Sequence, residues 1–168
     1  MATTYEPIAT TTLGSAAASY TFSSISGTYT DLVLVVTGTT TTDGASLTVR
    51  FNSDSGTNYS ETQLRGTGSS AVSSRGSNLT YIMLGYSAGF SSSQGANAVM
   101  QIQNYSNATT YKTGLGRVNN ANGAVGAGTE ANVGLWRNTA AITSITVGVD
   151  AGNLATGMTL TLYGIKAA

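Results

Sequence analysis

The chain contains no cysteine and no histidine, a single proline, and few charges: 7 Lys+Arg set against 7 Asp+Glu, together 8% of the residues. Without cysteine and histidine there is no zinc cluster, no thiol nucleophile, no Ser-His relay and no haem ligation through either residue. A disulfide framework is excluded as well, so stability has to come from a core, from partner subunits or from ions. Soluble domains ordinarily carry about a quarter charged residues. The shortfall here, at zero net charge, leaves no basic footprint for nucleic acid. The first twenty residues lack the basic start and apolar run of a secretory signal, so export by that route is not expected. Hydrophobic residues still make up 40%, too many for a disordered linker, yet they are too interrupted for a membrane span.

What is present is an alternation of large apolar with small polar residues, punctuated by Gly and Asn, from Ser19 to Ile165. That period belongs to antiparallel strands. It places strands at Ser19–Ile25, Asp31–Thr37, Ala45–Phe51, Tyr59–Leu64, Leu79–Tyr86, Ala98–Gln103, Tyr111–Val118, Ala131–Trp136, Ile142–Val149 and Met158–Ile165. No long window repeats apolar residues at helical spacing, and the run Ala16-Ala17-Ala18 is too short to nucleate a helix. With 168 residues the chain fits one domain. The expected fold is all-β, a two-sheet antiparallel β-sandwich of jelly-roll type spanning residues 15–168, preceded by an extended arm, residues 1–14. The expected core includes Phe22, Ile25, Leu32, Leu34, Val36, Leu47, Val49, Phe51, Leu64, Ile82, Leu84, Val99, Ile102, Leu115, Val133, Leu135, Ile142, Ile145, Val147, Leu160 and Leu162.

Four stretches read as long loops: Gly38–Gly44, Gly66–Asn78, Gly89–Asn97 and Asn119–Glu130. Loops of this length bind something, pack against a neighbour or stay mobile. Within Arg50–Asn58, an Asn-x-Asp-x-Gly spacing (Asn52, Asp54, Gly56) offers oxygens around a turn, short of the six to eight that calcium takes, and Asx-rich turns have the same appearance. The acids Glu6, Asp31, Asp43, Asp54, Glu61, Glu130 and Asp150 show no convergence in sequence and read as solvated groups at turns and strand ends. The glycine-rich segments lack the lysine of a phosphate loop. No catalytic residue, metal or cofactor is expected. The tripeptides beginning at Asn58, Asn78, Asn104 and Asn107 match glycan acceptors only by virtue of an Asn/Ser/Thr-rich composition.

The remaining candidates are contact residues. Tyr5, Pro7 and Ile8 lie in the arm, Tyr86 and Phe90 beside the Gly89–Asn97 loop, Asn119 and Asn120 at the start of the Gly/Asn-rich stretch, and Trp136 is the lone tryptophan. An extended arm gains order by lying along a neighbour, and rings with polar tips anchor interfaces or stack on sugars.

Several blocks in order, Tyr5-Glu6-Pro7-Ile8-Ala9, Tyr20-Thr21-Phe22-Ser23-Ser24-Ile25 with Tyr29-Thr30-Asp31-Leu32, Val49-Arg50-Phe51-Asn52, Thr57-Asn58-Tyr59-Ser60, Gly134-Leu135-Trp136-Arg137, Ala140-Ala141-Ile142-Thr143-Ser144-Ile145 and Leu162-Tyr163-Gly164-Ile165-Lys166, resemble the small structural proteins of tailed bacteriophages. The resemblance implies a virion protein without catalytic residues. The expectation is a head decoration or cement protein on the outer surface of the head, a trimer contacting the major capsid protein, with no nucleic acid or membrane partner. The alternative it implies is a tail or fibre component that binds a host-surface glycan or receptor.

Overall fold

The computed structural model describes residues 4–86, 89–120 and 128–166. Among them there is no helix, and hence none long and apolar enough to cross a membrane. The described strands are β1 (Tyr5–Thr12), β2 (Ser19–Phe22), β3 (Asp31–Gly38), β4 (Leu47–Phe51), β5 (Tyr59–Gly66), β6 (Ala71–Leu79), β7 (Ile82–Leu84), β8 (Ala96–Gln103), β9 (Lys112–Asn120), β10 (Gly128–Trp136), β11 (Ile145–Val149) and β12 (Thr159–Ile165). They form an eight-stranded sheet, β1-β12-β3-β8-β9-β10-β5-β6, and a four-stranded sheet, β2-β11-β4-β7, antiparallel throughout. This is the all-β sandwich that the alternation implies. The described strands divide eight and four, a split that does not by itself make the eight-stranded jelly roll.

One half of the large sheet follows the simple rule of apolar residues inward. Leu32, Leu34 and Val36 of β3, Leu160 and Leu162 of β12, and Met100 and Ile102 of β8 are buried against Leu47, Val49, Phe51, Ile145 and Val147 of the small sheet. Each such side chain contributes about 1.5–3 kcal/mol through burial. At one end of the core, Trp136 stacks on Tyr59 with ring centroids 6.4 Å apart and meets Phe51 edge-on at 5.7 Å. Lys112 is also fully buried, its ammonium donating to the carbonyls of Thr110 at 2.7 Å and Thr139 at 2.9 Å.

Two strands escape the period-two reading. The stretch expected as an arm is extended, but its order comes from its own chain: β1 pairs with β12 as an edge strand. A register shift between Pro7 and Ala9 breaks the alternation, and Pro7 is tolerated because the edge needs no donor on its outer side. Lys166 closes this pair on Glu6 at 2.8 Å. All of strand β6 but its last residue, Leu79, falls within the expected loop Gly66–Asn78. Its sequence, AVSSRGSNL, alternates nothing because it is an edge strand whose side chains are mostly exposed.

Two other expected loops close on each other. Thr40 N donates to Ser91 O at 3.0 Å and Gly44 N to Phe90 O at 2.9 Å. The Asp43 carboxylate accepts from Ser92 N at 2.7 Å and from the Ser91 hydroxyl at 3.0 Å. Of the Asn119–Glu130 stretch, Asn119 and Asn120 end β9, Gly128–Glu130 begin β10, and residues 121–127 lie outside the described residues.

Candidate functional site

The other half of the large sheet, β9-β10-β5, inverts the usual pattern. Its inward positions carry Gly114, Gly116 and Val118 on β9, Glu130, Asn132 and Gly134 on β10, and Glu61 and Gln63 on β5. Its outward positions carry Leu115, Val133 and Leu64, which are 56%, 50% and 60% exposed. Leu64, Leu115 and Val133 were expected in the core and are on the surface instead, with Val99 and Leu135 beside them half-buried on the same outer face. The physical reason lies across the sandwich. β7 approaches this half so closely that a Cβ at position 134 would lie 2.6–2.8 Å from three side-chain atoms of Ile82. Only glycine gives that room, and the large residues are turned outward.

The inward polar groups serve the free edge of β7. β7 pairs with β4 on one side only. On its other side Met83 N donates to Glu61 Oε2 at 2.7 Å, Gly85 N and Tyr86 N donate to Glu130 Oε1 at 3.0 and 3.3 Å, and Met83 O accepts from Asn132 Nδ2. Side chains of the facing sheet thus stand in for a missing neighbour strand and block edge-to-edge pairing there. Gln63 Nε2 donates to Glu61 Oε1 at 2.8 Å, and Ser74 Oγ supports Gln63 at 3.2 Å. Burial pushes the Glu61 carboxyl above its ordinary range; the Met83 N–H partly offsets this, and the nearby Glu130 adds to it. Glu61 and Glu130 are therefore buried, against the expectation of solvated acids. Between Glu61 with Gln63 and the rim formed by Leu79, Tyr81, Tyr86 and Arg75 lies a cleft of about 260 Å³. Arg50 lies over the Tyr81 ring and Arg65 over that of Tyr86.

The Asp54 turn is likewise structural. Its carboxylate accepts from Gly56 N at 2.8 Å, Asn58 Nδ2 at 2.9 Å and Trp136 Nε1 at 2.7 Å. The Trp136 bond above all holds its pKa below the usual value.

The expected contact residues divide by burial. Tyr5 and Pro7 are exposed, and Tyr5 borders the outer face of the large sheet; Asn119 is exposed on that face, and Tyr86 is exposed at the cleft rim. Ile8 packs partly against the core. Phe90, Asn120 and Trp136 are interior: Trp136 is 1% exposed, Phe90 bridges to Ala45, and Asn120 donates to the carbonyl of Gly89. The surface patch of Tyr86, Phe90, Asn119, Asn120 and Trp136 that a glycan-binding reading requires is not formed. The residues that sequence reasoning missed as a surface are Leu64, Leu115 and Val133. Their signal was the alternation of glycines, amides and acids with large apolar residues.

The blocks that carry the phage resemblance meet in space as framework. Asn52 Oδ1 accepts from Thr143 N at 2.8 Å and Ser144 N at 3.1 Å, while its Nδ2 donates to Ala141 O at 2.8 Å. Tyr59 OH receives Phe51 N at 3.1 Å, and Arg137 reaches Thr57 O at 2.6 Å.

No family model matches the chain, and no curated protein matches it. Among solved structures it is similar to the endo-β-1,4-glucuronan lyase of the fungus Trichoderma reesei, at 10% identity over 80% of this chain and 66% of that one, with a TM-score of 0.22. The chain thus spans just under two thirds of the lyase's length. It is also similar to the Crh5 transglycosylase in complex with NAG, at 10% identity over 98% of this chain and 79% of that one, again with a TM-score of 0.22. Likenesses at this level carry no argument about activity.

Proposed function

We propose that this chain is a structural subunit of a tailed-phage virion, a head decoration or cement protein without catalytic turnover, and that the outer face of its large sheet is covered in the assembly. The phage assignment rests on the sequence resemblance, and the major capsid protein is the lattice it joins. The observation that supports an assembly role is the reversed alternation of β9, β10 and β5, which turns Leu64, Leu115 and Val133 outward. A contiguous exposed apolar face on a chain with so few charges marks an interaction surface.

The test is cryo-electron microscopy of the particle that contains this chain, with copy counting by mass spectrometry. Density on the head lattice with this face covered is the expected result. Copies confined to the tail would overturn the cement reading in favour of a tail component, and a face left open to solvent would overturn the assembly role assigned to it.

A further inference from the structure

The outer face has the size, shape and chemistry to cover itself. Eight strands at a spacing of ~4.8 Å and about eight residues at ~3.4 Å make a face of roughly 1,000 Å². A stable pair of proteins needs about 800 Å² from each partner. The register lines up two mainly apolar rows across the sheet, one running Val33, Gln101, Leu115 and Val133, the other Val35, Val99, Arg117 and Ala131. Between the strands lie a hollow of about 280 Å³ bordered by Tyr5, Val33, Val99 and Leu115 and a second of about 310 Å³ bordered by Leu64, Ala131 and Val133. Knobs and hollows are therefore present on one surface, as a self-complementary contact requires.

We propose that this face closes on the same face of a second copy of the chain, sheet on sheet, about a two-fold axis running along the strands between β8 and β9. The inference rests on the reading of this face as an assembly surface. Such an axis preserves height along the strands, so each row meets itself in reverse order. Val33 then lies opposite Val133 of the partner subunit, Val35 opposite the partner's Ala131, and Leu115 enters the partner's first hollow beside Gln101. Arg117, which stands in the second row between Val99 and Ala131, lies opposite the partner's Val99, whose flank its aliphatic stem covers. A face that meets itself about a two-fold axis closes as a pair, in place of the trimer expected from the resemblance. The N-terminal segment expected to lie along a neighbour is paired in its own sheet as β1.

The absence of cysteine makes the geometry directly testable. In one chain positions 33 and 133 are three strands apart, about 14 Å, too far for a short bismaleimide. In the proposed pair they are adjacent. The full chain should run as a dimer by light scattering, and the double variant Val33→Cys/Val133→Cys should cross-link into a covalent dimer while neither single variant does. Leu115→Arg and, separately, Val133→Ser should shift the protein to monomer with unchanged far-UV circular dichroism. A monomer or trimer at all concentrations, a dimer untouched by both substitutions, or cross-linking by the single variants overturns the pairing. The underlying reading fails separately: if particles take up Leu115→Arg as well as the parent chain, this face is not an assembly surface at all. If uptake is lost although the parent chain is monomeric, the face is an assembly surface for a different partner.

Discussion

Replacing Gly134 with alanine should destabilise the protein, against the usual expectation for glycine in a strand. Gly134 has no left-handed φ, so an alanine there meets no backbone strain and, in an open site, would stabilise by about 0.4–1 kcal/mol through the unfolded state. The added methyl, however, would lie 2.6 Å from Cδ1, 2.7 Å from Cγ2 and 2.8 Å from Cγ1 of Ile82. Both branches of the isoleucine are in the way, so turning χ1 exchanges one clash for another. β7 is held in place by Glu61 and Asn132 and cannot retreat without losing those bonds. Overpacking of this kind costs about 1–3 kcal/mol; with three atoms in the way the upper half of that range applies, about 2–3 kcal/mol, and less the chain-entropy gain of about 0.4–1 kcal/mol the net loss is about 1–2.5 kcal/mol. Urea denaturation of the parent, Gly134→Ala, Ile82→Ala and the double variant measures it. Ile82→Ala alone should cost about 2–5 kcal/mol by opening a cavity. In the alanine background its cost should fall by about 1–2 kcal/mol, because the methyl takes up the vacated space. A neutral or stabilising Gly134→Ala, or strict additivity in the cycle, would refute the close approach of β7 to β10 and with it the explanation for the outward-turned leucines and valines.

Three further outcomes follow from the interior polar groups. Asn52→Ala removes four hydrogen bonds and places alanine at a φ of 52°, and should cost about 2–4 kcal/mol by chemical denaturation; a loss within 0.5 kcal/mol, the range of ordinary surface changes, would show that the 140–144 segment is held by something else. Glu61 has a folded pKa above its ordinary value of 4.5, so its contribution is fully present below the unfolded pKa and is lost as pH rises through the folded one. The stability of Glu61→Gln relative to the parent should therefore climb as pH is raised above 4.5, and a pH-independent difference in paired denaturation curves would contradict the burial of this carboxylate. Asp54 is the opposite case: its folded pKa is below 3.8, its stabilisation is present above the unfolded value and disappears as pH falls through the folded one. Acid titration of Asp54→Asn should show a shallower loss of stability below that pH than the parent, and an identical acid limb would remove the Trp136–Asp54 bond from the account.

Strand content was legible in the sequence wherever a strand buries one apolar face. Each expected strand has a counterpart, and the hydrophobic alternation of Leu32, Leu34 and Val36 or of Leu160 and Leu162 identifies the inner face directly. β1 and β6 were not legible because edge strands take their order from a single neighbour and need no alternation: a bulge breaks the pattern in one, and nearly all-polar side chains remove it from the other. The expected contact residues differ in burial: Tyr5, Pro7, Asn119 and Tyr86 are exposed and Ile8 is half-buried, while Phe90, Asn120 and Trp136 belong to the interior, a difference their chemistry alone does not carry.

Composition by itself determined the class of chemistry open to this protein and the all-β architecture, because missing residue types and a period of two are local properties of the chain. Which face of β9, β10 and β5 points inward was decided only by the tertiary structure. Periodicity marks two faces without saying which is buried, and the choice turns on a remote partner: β7 needs its edge bonded by Glu61, Glu130 and Asn132 and needs the room left by Gly116 and Gly134. Those long-range requirements outweigh the burial of three aliphatic side chains, and they leave Leu64, Leu115 and Val133 facing outward, available to a second copy.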